Sequence, residues 1–187
     1  MKKHILWILG VVLAILLFSG AYFLYHHLQK EYALDPLSNS QSSTSHQTDK
    51  FSAPDFTVVD DKGNEVQLSD YFGKPIVLNF WASWCYYCKE EMPDFQKAYE
   101  AYPDVQFLMV NATDNMRETE TLAKDYISLQ GFSFPVFFDT RQQAVLAYSV
   151  SGLPATFFLD KTGNLVTYAN GMLDFETLKT GIEMIKE

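Results

Sequence analysis

The chain has 187 residues, of which 48% are hydrophobic and 16% aromatic, and it carries a formal net charge of −9. This apolar content excludes an intrinsically disordered chain, and the length fits one domain of ordinary size with an appendage. From residue 50 onward, 11 Lys and Arg stand against 20 Asp and Glu. Because proteins bind nucleic acids by neutralising phosphates with cations, we expect no nucleic acid partner.

An uncharged apolar run occupies residues 5–25, directly after Lys2 and Lys3. At about 1.5 Å per residue, such a run crosses the ~30 Å hydrocarbon core of a bilayer as one helix. Positive charge ahead of it keeps residues 1–4 in the cytoplasm. We therefore expect a transmembrane signal anchor in the cell membrane, passing once, with the rest of the chain on the extracytoplasmic side. A cleaved signal peptide is the alternative, because Ser19 and Ala21 form a small-x-small pair.

Residues 26–50 are predicted to be a flexible extracytoplasmic linker. Ser, Thr, Gln and Asn dominate residues 35–50, and no large apolar residue follows Leu37 there. A segment of this composition buries too little surface to offset its chain entropy. The folded domain is therefore expected over residues 51–187.

The domain alternates between strand-type and helix-type patterns. Residues 76–82 form a continuous apolar run, which is typical of a strand buried on both faces of a sheet. Met92, Phe95, Tyr99 and Tyr102 then recur at spacings of three and four, which predicts a helix. In chain order the patterns predict a hairpin (56–59, 66–68), a strand (76–82), a helix (89–102), a strand (105–110), a helix (118–129), a strand (136–138), a short helix (142–148), a second hairpin (155–159, 165–168) and a closing helix (175–185) capped by Asp174.

The chain has only two cysteines, Cys85 and Cys88, in the run WASWCYYC where the central strand gives way to a helix. Structural zinc needs about four Cys or His ligands, but all four histidines precede residue 51. We therefore expect no metal and no cofactor, and a Cys-His hydrolase would lack its imidazole. A structural disulfide is the plain alternative, although closing a loop of two residues stabilises a protein little.

A redox role explains both the position and the spacing of the cysteines. Cys85 falls at the start of the predicted helix, where unpaired N–H groups and the helix dipole favour a thiolate. Cys88 follows one turn later, close enough to form a disulfide with Cys85 or to resolve a mixed disulfide. The predicted cycle is exchange at Cys85, a covalent intermediate with a partner, and release by Cys88.

The runs NFWASWCYYCKEEMP and GLPATFFLD resemble the thioredoxin superfamily and, within it, the membrane-tethered TlpA/ResA-like thiol-disulfide oxidoreductases. The resemblance covers about residues 51–187 and includes the WCxxC pair, Pro93 and Pro154. It implies an α/β thioredoxin-like fold, in which helices flank a central mixed β-sheet, with an N-terminal β-hairpin. It also implies a central helix-strand-helix insertion at about residues 116–148.

The resemblance further implies supporting residues around the cysteines. Leu153 and Pro154 are expected to form a cis peptide bond in a loop that faces the disulfide. Glu91 takes the place of an acid that tunes the thiols in ResA-like proteins. The alternative is a solvated helix carboxylate, whereas a buried Glu91 would have a raised pKa and could pass protons. Trp84 is expected to cover the disulfide and to offer partners a flat apolar contact.

The expected function is that of an exported, membrane-tethered thiol-disulfide oxidoreductase. Its partners would be thiols or disulfides of exported proteins, with a membrane electron donor, and it would act as a reductant rather than an oxidant. The alternative is a non-catalytic copper carrier on a thioredoxin-like fold, although no histidine follows His46. A thiol peroxidase is disfavoured because no Arg lies near the cysteines in sequence. Tyr87 stands where many relatives have Pro, so no redox potential is carried over.

Overall fold

A computed structural model of the chain describes residues 51–186 together with Phe18, Ser19, Tyr22, Ser38 and Asn39. The first three of these are helical and belong to a separate unit, residues 1–35. In this described part of the chain, no helix has the length and apolar character needed to cross a membrane. The predicted span at residues 5–25 lies outside the described residues, apart from Phe18, Ser19 and Tyr22.

A single mixed sheet organises the rest of the chain. Its described strands, in chain order, are β1 (Ser38–Asn39), β2 (Thr57–Val59), β3 (Glu65–Gln67), β4 (Ile76–Trp81), β5 (Gln106–Asn111), β6 (Val136–Phe138), β7 (Ala155–Leu159) and β8 (Leu165–Asn170). Their spatial order is β1-β8-β7-β4-β5-β6-β2-β3. The pairs β4–β5 and β5–β6 are parallel, and the other neighbours are antiparallel. The central strand is therefore β4, which the apolar run predicts.

Four α-helices and one short 3-10 helix (Leu68–Tyr71) accompany these strands within residues 51–186. The α-helices are α1 (Tyr86–Ala101), α2 (Glu120–Gln130), α3 (Gln143–Ala147) and α4 (Phe175–Lys186). All the elements predicted within residues 51–187 are present, including the helix-strand-helix segment formed by α2, β6 and α3. The predicted cap of α4 is confirmed, because Asp174 Oδ1 accepts a hydrogen bond from the Thr177 N–H at 2.9 Å.

Most boundaries shift by one or two residues, and three larger differences from the sequence expectation have a physical reason. α1 begins three residues earlier than predicted, because Cys85 supplies the cap that the apolar pattern does not reveal. Leu68 opens the 3-10 helix instead of ending β3, and it is fully buried there. β1 is an addition, since Ser38 and Asn39 pair with Tyr168 and Thr167 of β8 although the sequence assigns them to the linker.

Alternating side chains of β4 feed two separate apolar cores, because neighbouring residues of a strand point to opposite faces. Val77 and Trp81 pack on one face with buried side chains of α1, α2 and α4. Leu78 and Phe80 pack on the other face with α3 and the N-terminal hairpin. This mixed sheet, covered on both faces, is the thioredoxin-like fold that the resemblance implies. Packing on both faces of the sheet fixes the carboxyl end of β4, and the cysteine turn follows directly from this end.

Candidate active site

Cys85 and Cys88 form a disulfide at the N-terminus of α1. The S–S distance is 2.11 Å and the Cα atoms are 5.3 Å apart. Cys85 has extended backbone and is the N-cap of the helix, and its Sγ accepts a hydrogen bond from the Cys88 N–H at 3.2 Å. The sulfur thus occupies the position where helix N–H groups and the helix dipole favour negative charge, as the sequence predicts.

The two sulfurs differ in their access to solvent. Cys85 keeps 5% of its surface exposed, whereas Cys88 is completely buried in the core beneath α1. An incoming sulfur can therefore approach Cys85 but not Cys88. This asymmetry matches the predicted division of roles, in which the outer sulfur reacts with partners and the inner one resolves the intermediate.

The loop before β7 lies at the same edge of the sheet as the cysteine turn. Ala155 pairs with Phe80 near the carboxyl end of β4, which places Pro154 beside the point where the chain leaves for Cys85. The Leu153–Pro154 peptide bond is cis, as the resemblance implies. Leu153 packs against the same core that contains both cysteines.

Glu91 is buried beneath this site, so the solvated alternative is wrong. It lies one turn after Cys88 on α1, on the same face of the helix. Oε1 accepts a hydrogen bond from Asn79 Nδ2 at 2.9 Å, and Oε2 accepts one from the Leu173 N–H at 3.0 Å. Burial raises the pKa of Glu91 from its ordinary 4.5 to about 8, and the two hydrogen bonds only partly oppose this.

Asn79 connects Glu91 to the neighbouring strand. Its Nδ2 also donates a hydrogen bond to Thr156 Oγ1 at 3.0 Å, on β7. The three side chains are buried and form a polar network across β4, β7 and α1. The network holds the Glu91 carboxyl in a fixed place below the disulfide.

Trp84 is partly exposed beside the cysteines, with 40% of its surface accessible, and it has a partner that the sequence does not predict. The guanidinium carbon of Arg117 lies 3.6 Å from the centroid of the Trp84 ring. No Arg lies near the cysteines along the sequence, but Arg117 lies next to Trp84 in the folded chain. Arg117 belongs to the loop after β5, and β5 is the neighbour of β4, whose end leads to Cys85.

Glu118, the residue after Arg117, is a second buried carboxylate that sequence reasoning missed. Its Oε1 accepts hydrogen bonds from the Ser83 N–H at 2.8 Å and Asn111 Nδ2 at 2.7 Å. Its Oε2 accepts one from Ser83 Oγ at 2.7 Å. Glu118 therefore fixes the turn two residues before Cys85 to the end of β5. In sequence it resembles any acidic residue near a helix start, so no pattern singles it out.

The described residues contain no group of three or more His, Cys, Asp or Glu side chains arranged to hold a metal ion. The carboxyl groups of Glu91 and Glu118 accept hydrogen bonds here, whereas the buried Asn79 Oδ1 has no hydrogen-bond partner in this part of the chain. The site thus presents a disulfide with one slightly exposed sulfur and a buried carboxyl one helical turn beyond the inner cysteine.

Replacing Glu91 with Gln should change how stability depends on pH. Between pH 4.5 and about 8 the folded wild type binds one more proton at Glu91 than the unfolded chain. Its free energy of unfolding therefore falls as pH rises through this window, by roughly 3 kcal/mol between pH 5 and 8. Denaturant unfolding of the oxidised protein at several pH values should show this fall in wild type and not in Glu91→Gln.

Glu90→Gln is the matched control, because Glu90 is the exposed neighbour on the same helix. It should keep the wild-type dependence on pH. Parallel stability curves for wild type and Glu91→Gln would contradict the assignment of a raised pKa to Glu91.

Comparisons with known proteins agree with this geometry. A sequence profile described as the AhpC/TSA family matches residues 51–168. Thiol-disulfide oxidoreductase ResA of Geobacillus kaustophilus is 38% identical over 72% of this chain and 76% of its own length. The ResA of Bacillus subtilis is 30% identical over 99% of this chain and 96% of its own length.

Among solved structures, StoA from Bacillus subtilis superimposes with a TM-score of 0.60 at 27% identity, covering 69% of this chain and 96% of StoA. Sequence and fold thus point to the same group of proteins. The chain belongs to the AhpC/TSA family and, within it, to the ResA-like thiol-disulfide oxidoreductases.

Proposed function

We propose that the protein is a membrane-tethered, extracytoplasmic oxidoreductase that reduces disulfides of exported proteins through Cys85 and Cys88. The observation that carries this proposal is the disulfide at the start of α1, with one sulfur reachable from solvent and the other buried. A purely structural bridge would gain nothing from this asymmetry or from a buried carboxyl one helical turn away.

In the proposed cycle, the reduced protein uses the Cys85 thiolate to attack a disulfide of the partner. A bond forms between Cys85 and one partner sulfur, and the other partner sulfur leaves as a thiolate and takes a proton. The Cys88 thiolate then attacks Cys85 and releases the first partner sulfur. The partner gains two electrons and the Cys85–Cys88 pair loses two, which a membrane electron donor restores.

Glu91 is placed to handle the proton of Cys88. The inner thiol must lose its proton before it attacks, and it has no contact with solvent. A carboxyl with a pKa of about 8, one turn away, exchanges protons readily near neutral pH. The Glu91→Gln variant also tests this role, because it should slow release of the partner while leaving the first attack by Cys85 unchanged.

The complete burial of Cys88 supports the reducing direction. A strong oxidant such as DsbA owes its potential to a stabilised reduced form. Here burial disfavours a thiolate at Cys88 in the reduced form, which makes the disulfide harder to reduce and the dithiol a better donor.

The anchor and its orientation rest on the uncharged run at residues 5–25 and on the two lysines before it. The Bacillus subtilis ResA, which aligns with 99% of this chain, supports treating that run as part of the working protein. A tethered enzyme would remain close to the outer face of the membrane, where it can meet both exported partner proteins and a membrane electron donor.

The cysteine variants should separate the two halves of the cycle. Cys85→Ala should abolish exchange, because Cys88 is buried and cannot replace it. Cys88→Ala should still attack a protein disulfide but remain covalently attached to it. Insulin reduction and non-reducing electrophoresis measure these outcomes. Exchange above background in Cys85→Ala would disprove the proposal.

The reduction potential of the Cys85–Cys88 pair determines whether the protein reduces or oxidises its partners. Equilibration with glutathione should give a value nearer to about −270 mV, as for thioredoxin, than to about −120 mV, as for DsbA. A value at the oxidising end would retain the exchange chemistry and overturn the reducing role.

The orientation can be measured on cells stripped of their wall. Protease added from outside should digest residues 51–187 without lysis, while a cytoplasmic marker protein stays intact. Protection of the domain until lysis would show that it lies on the cytoplasmic side.

A further inference from the structure

The loop between β5 and α2, residues 112–119, is built around an aspartate. Asp114 Oδ1 accepts hydrogen bonds from three successive N–H groups, those of Met116, Arg117 and Glu118, at 2.9, 2.8 and 2.8 Å. These bonds hold the pKa of Asp114 below its usual range, so it stays ionised at neutral pH. We call residues 112–119 the Arg117 loop.

The Arg117 loop is tied directly to the turn that carries the disulfide. Glu118 binds both the N–H and the hydroxyl of Ser83, and Ala112 N–H donates to the carbonyl of Trp81 at 2.9 Å. Two attachments on either side of Arg117 therefore fix its backbone relative to Cys85. The backbone that carries the Arg117 side chain is therefore held by hydrogen bonds to the cysteine turn and to the end of β4.

Within this frame, Arg117 lies on Trp84, the residue before Cys85. The guanidinium lies over the indole ring in a cation–π contact, which holds the cation beside Trp84. Among the described residues, no carboxylate forms an ion pair with Arg117 and no acceptor binds its side-chain N–H groups. The other arginine of the domain, Arg141, is paired with Glu65. Arg117 is thus an exposed cation held in place with its donors available.

The sign of this charge is opposite to that of the domain. Acidic residues outnumber basic ones by 20 to 11 from residue 50 onward, so the overall field repels anions. A cation on Trp84, the residue before Cys85, would attract an anionic group locally. Trp84, which is 40% exposed, provides apolar surface beside this cation.

We propose that Arg117 is a specificity-determining residue that selects protein disulfides with a carboxylate close in sequence to the reacting cysteine. The proposal rests on the proposed exchange function and names the class of partner. Guanidinium and carboxylate groups pair through two parallel hydrogen bonds. An extended partner segment advances about 3.3 Å per residue, so three residues span roughly 10 Å, and we expect the carboxylate within this distance of the partner cysteine.

The test uses three peptides, each a disulfide-linked homodimer with one cysteine per strand. They differ only in the two residues beside the cysteine, which are Glu, Gln or Lys. The full-length chain is reduced and mixed with each peptide, and quenched samples give the second-order rate constant for attack by Cys85. Wild type should react with the Glu peptide about threefold faster than with the Gln peptide, as expected for one exposed ion pair. The difference should shrink in high salt.

Arg117→Gln should lose this preference and follow the overall field, reacting fastest with the Lys peptide. Arg141→Gln is the matched control, because it removes the same charge from an arginine of the same domain and should keep the wild-type order. Arg117→Lys keeps the charge without the planar donors and should retain part of the preference.

These measurements distinguish failure of the Arg117 proposal from failure of the proposed exchange function. Equal rates for the three peptides in wild type, or equal shifts in Arg117→Gln and Arg141→Gln, would overturn the proposal while leaving the exchange function intact. Absence of exchange with every peptide would overturn both.

Discussion

A helix begins with N–H groups that have no acceptor inside the helix, and here a cysteine sulfur accepts one of them. The Sγ of Cys85 takes the N–H of Cys88 at the point where the central strand β4 ends. The same atom is therefore a structural cap and, in the proposed cycle, the reacting atom. Since N-caps prefer acceptors and helix starts prefer negative charge, the thiolate satisfies this position better than a neutral thiol. The packing of β4 between two cores keeps the atom there.

The site contains two buried carboxyl groups whose surroundings suit different tasks. Glu118 accepts three hydrogen bonds from Ser83 and Asn111 and locks the turn before Cys85. Glu91 accepts only two, and burial outweighs them, so that its pKa rises to about 8. The Asn79 side chain can hydrogen-bond to Glu91 in either protonation state, because its amide has donor N–H groups for a carboxylate and an acceptor oxygen for a protonated carboxyl. One carboxyl thus fixes the turn before Cys85, and the other has a pKa that burial raises to about 8.

The sequence was sufficient for the order of elements and for the cysteine pair, because both depend on local patterns. Apolar runs and spacings of three and four are readable within a window of a few residues, and a CxxC pair is contiguous. Ser38 and Asn39 escaped detection because a two-residue edge strand has no pattern of its own and depends on β8 for its pairing. Glu118 and Arg117 escaped because their partners lie 33 to 35 residues earlier in the chain. Contacts of that kind follow from the parallel pairing of β4 and β5, which brings two strand ends together.

The small exposed fraction of Cys85 limits how a partner reaches it. Thiol exchange needs an approach along the disulfide axis, and the surrounding surface is formed by large side chains, including Trp84, Tyr86 and Tyr87. Contact with these aromatic rings supplies affinity for any segment, since apolar burial has no direction. A charge at one side of them adds little energy but discriminates between segments and sets their orientation. The aromatic rings can therefore supply affinity for many partner segments, while the adjacent cation discriminates between those segments and orients them.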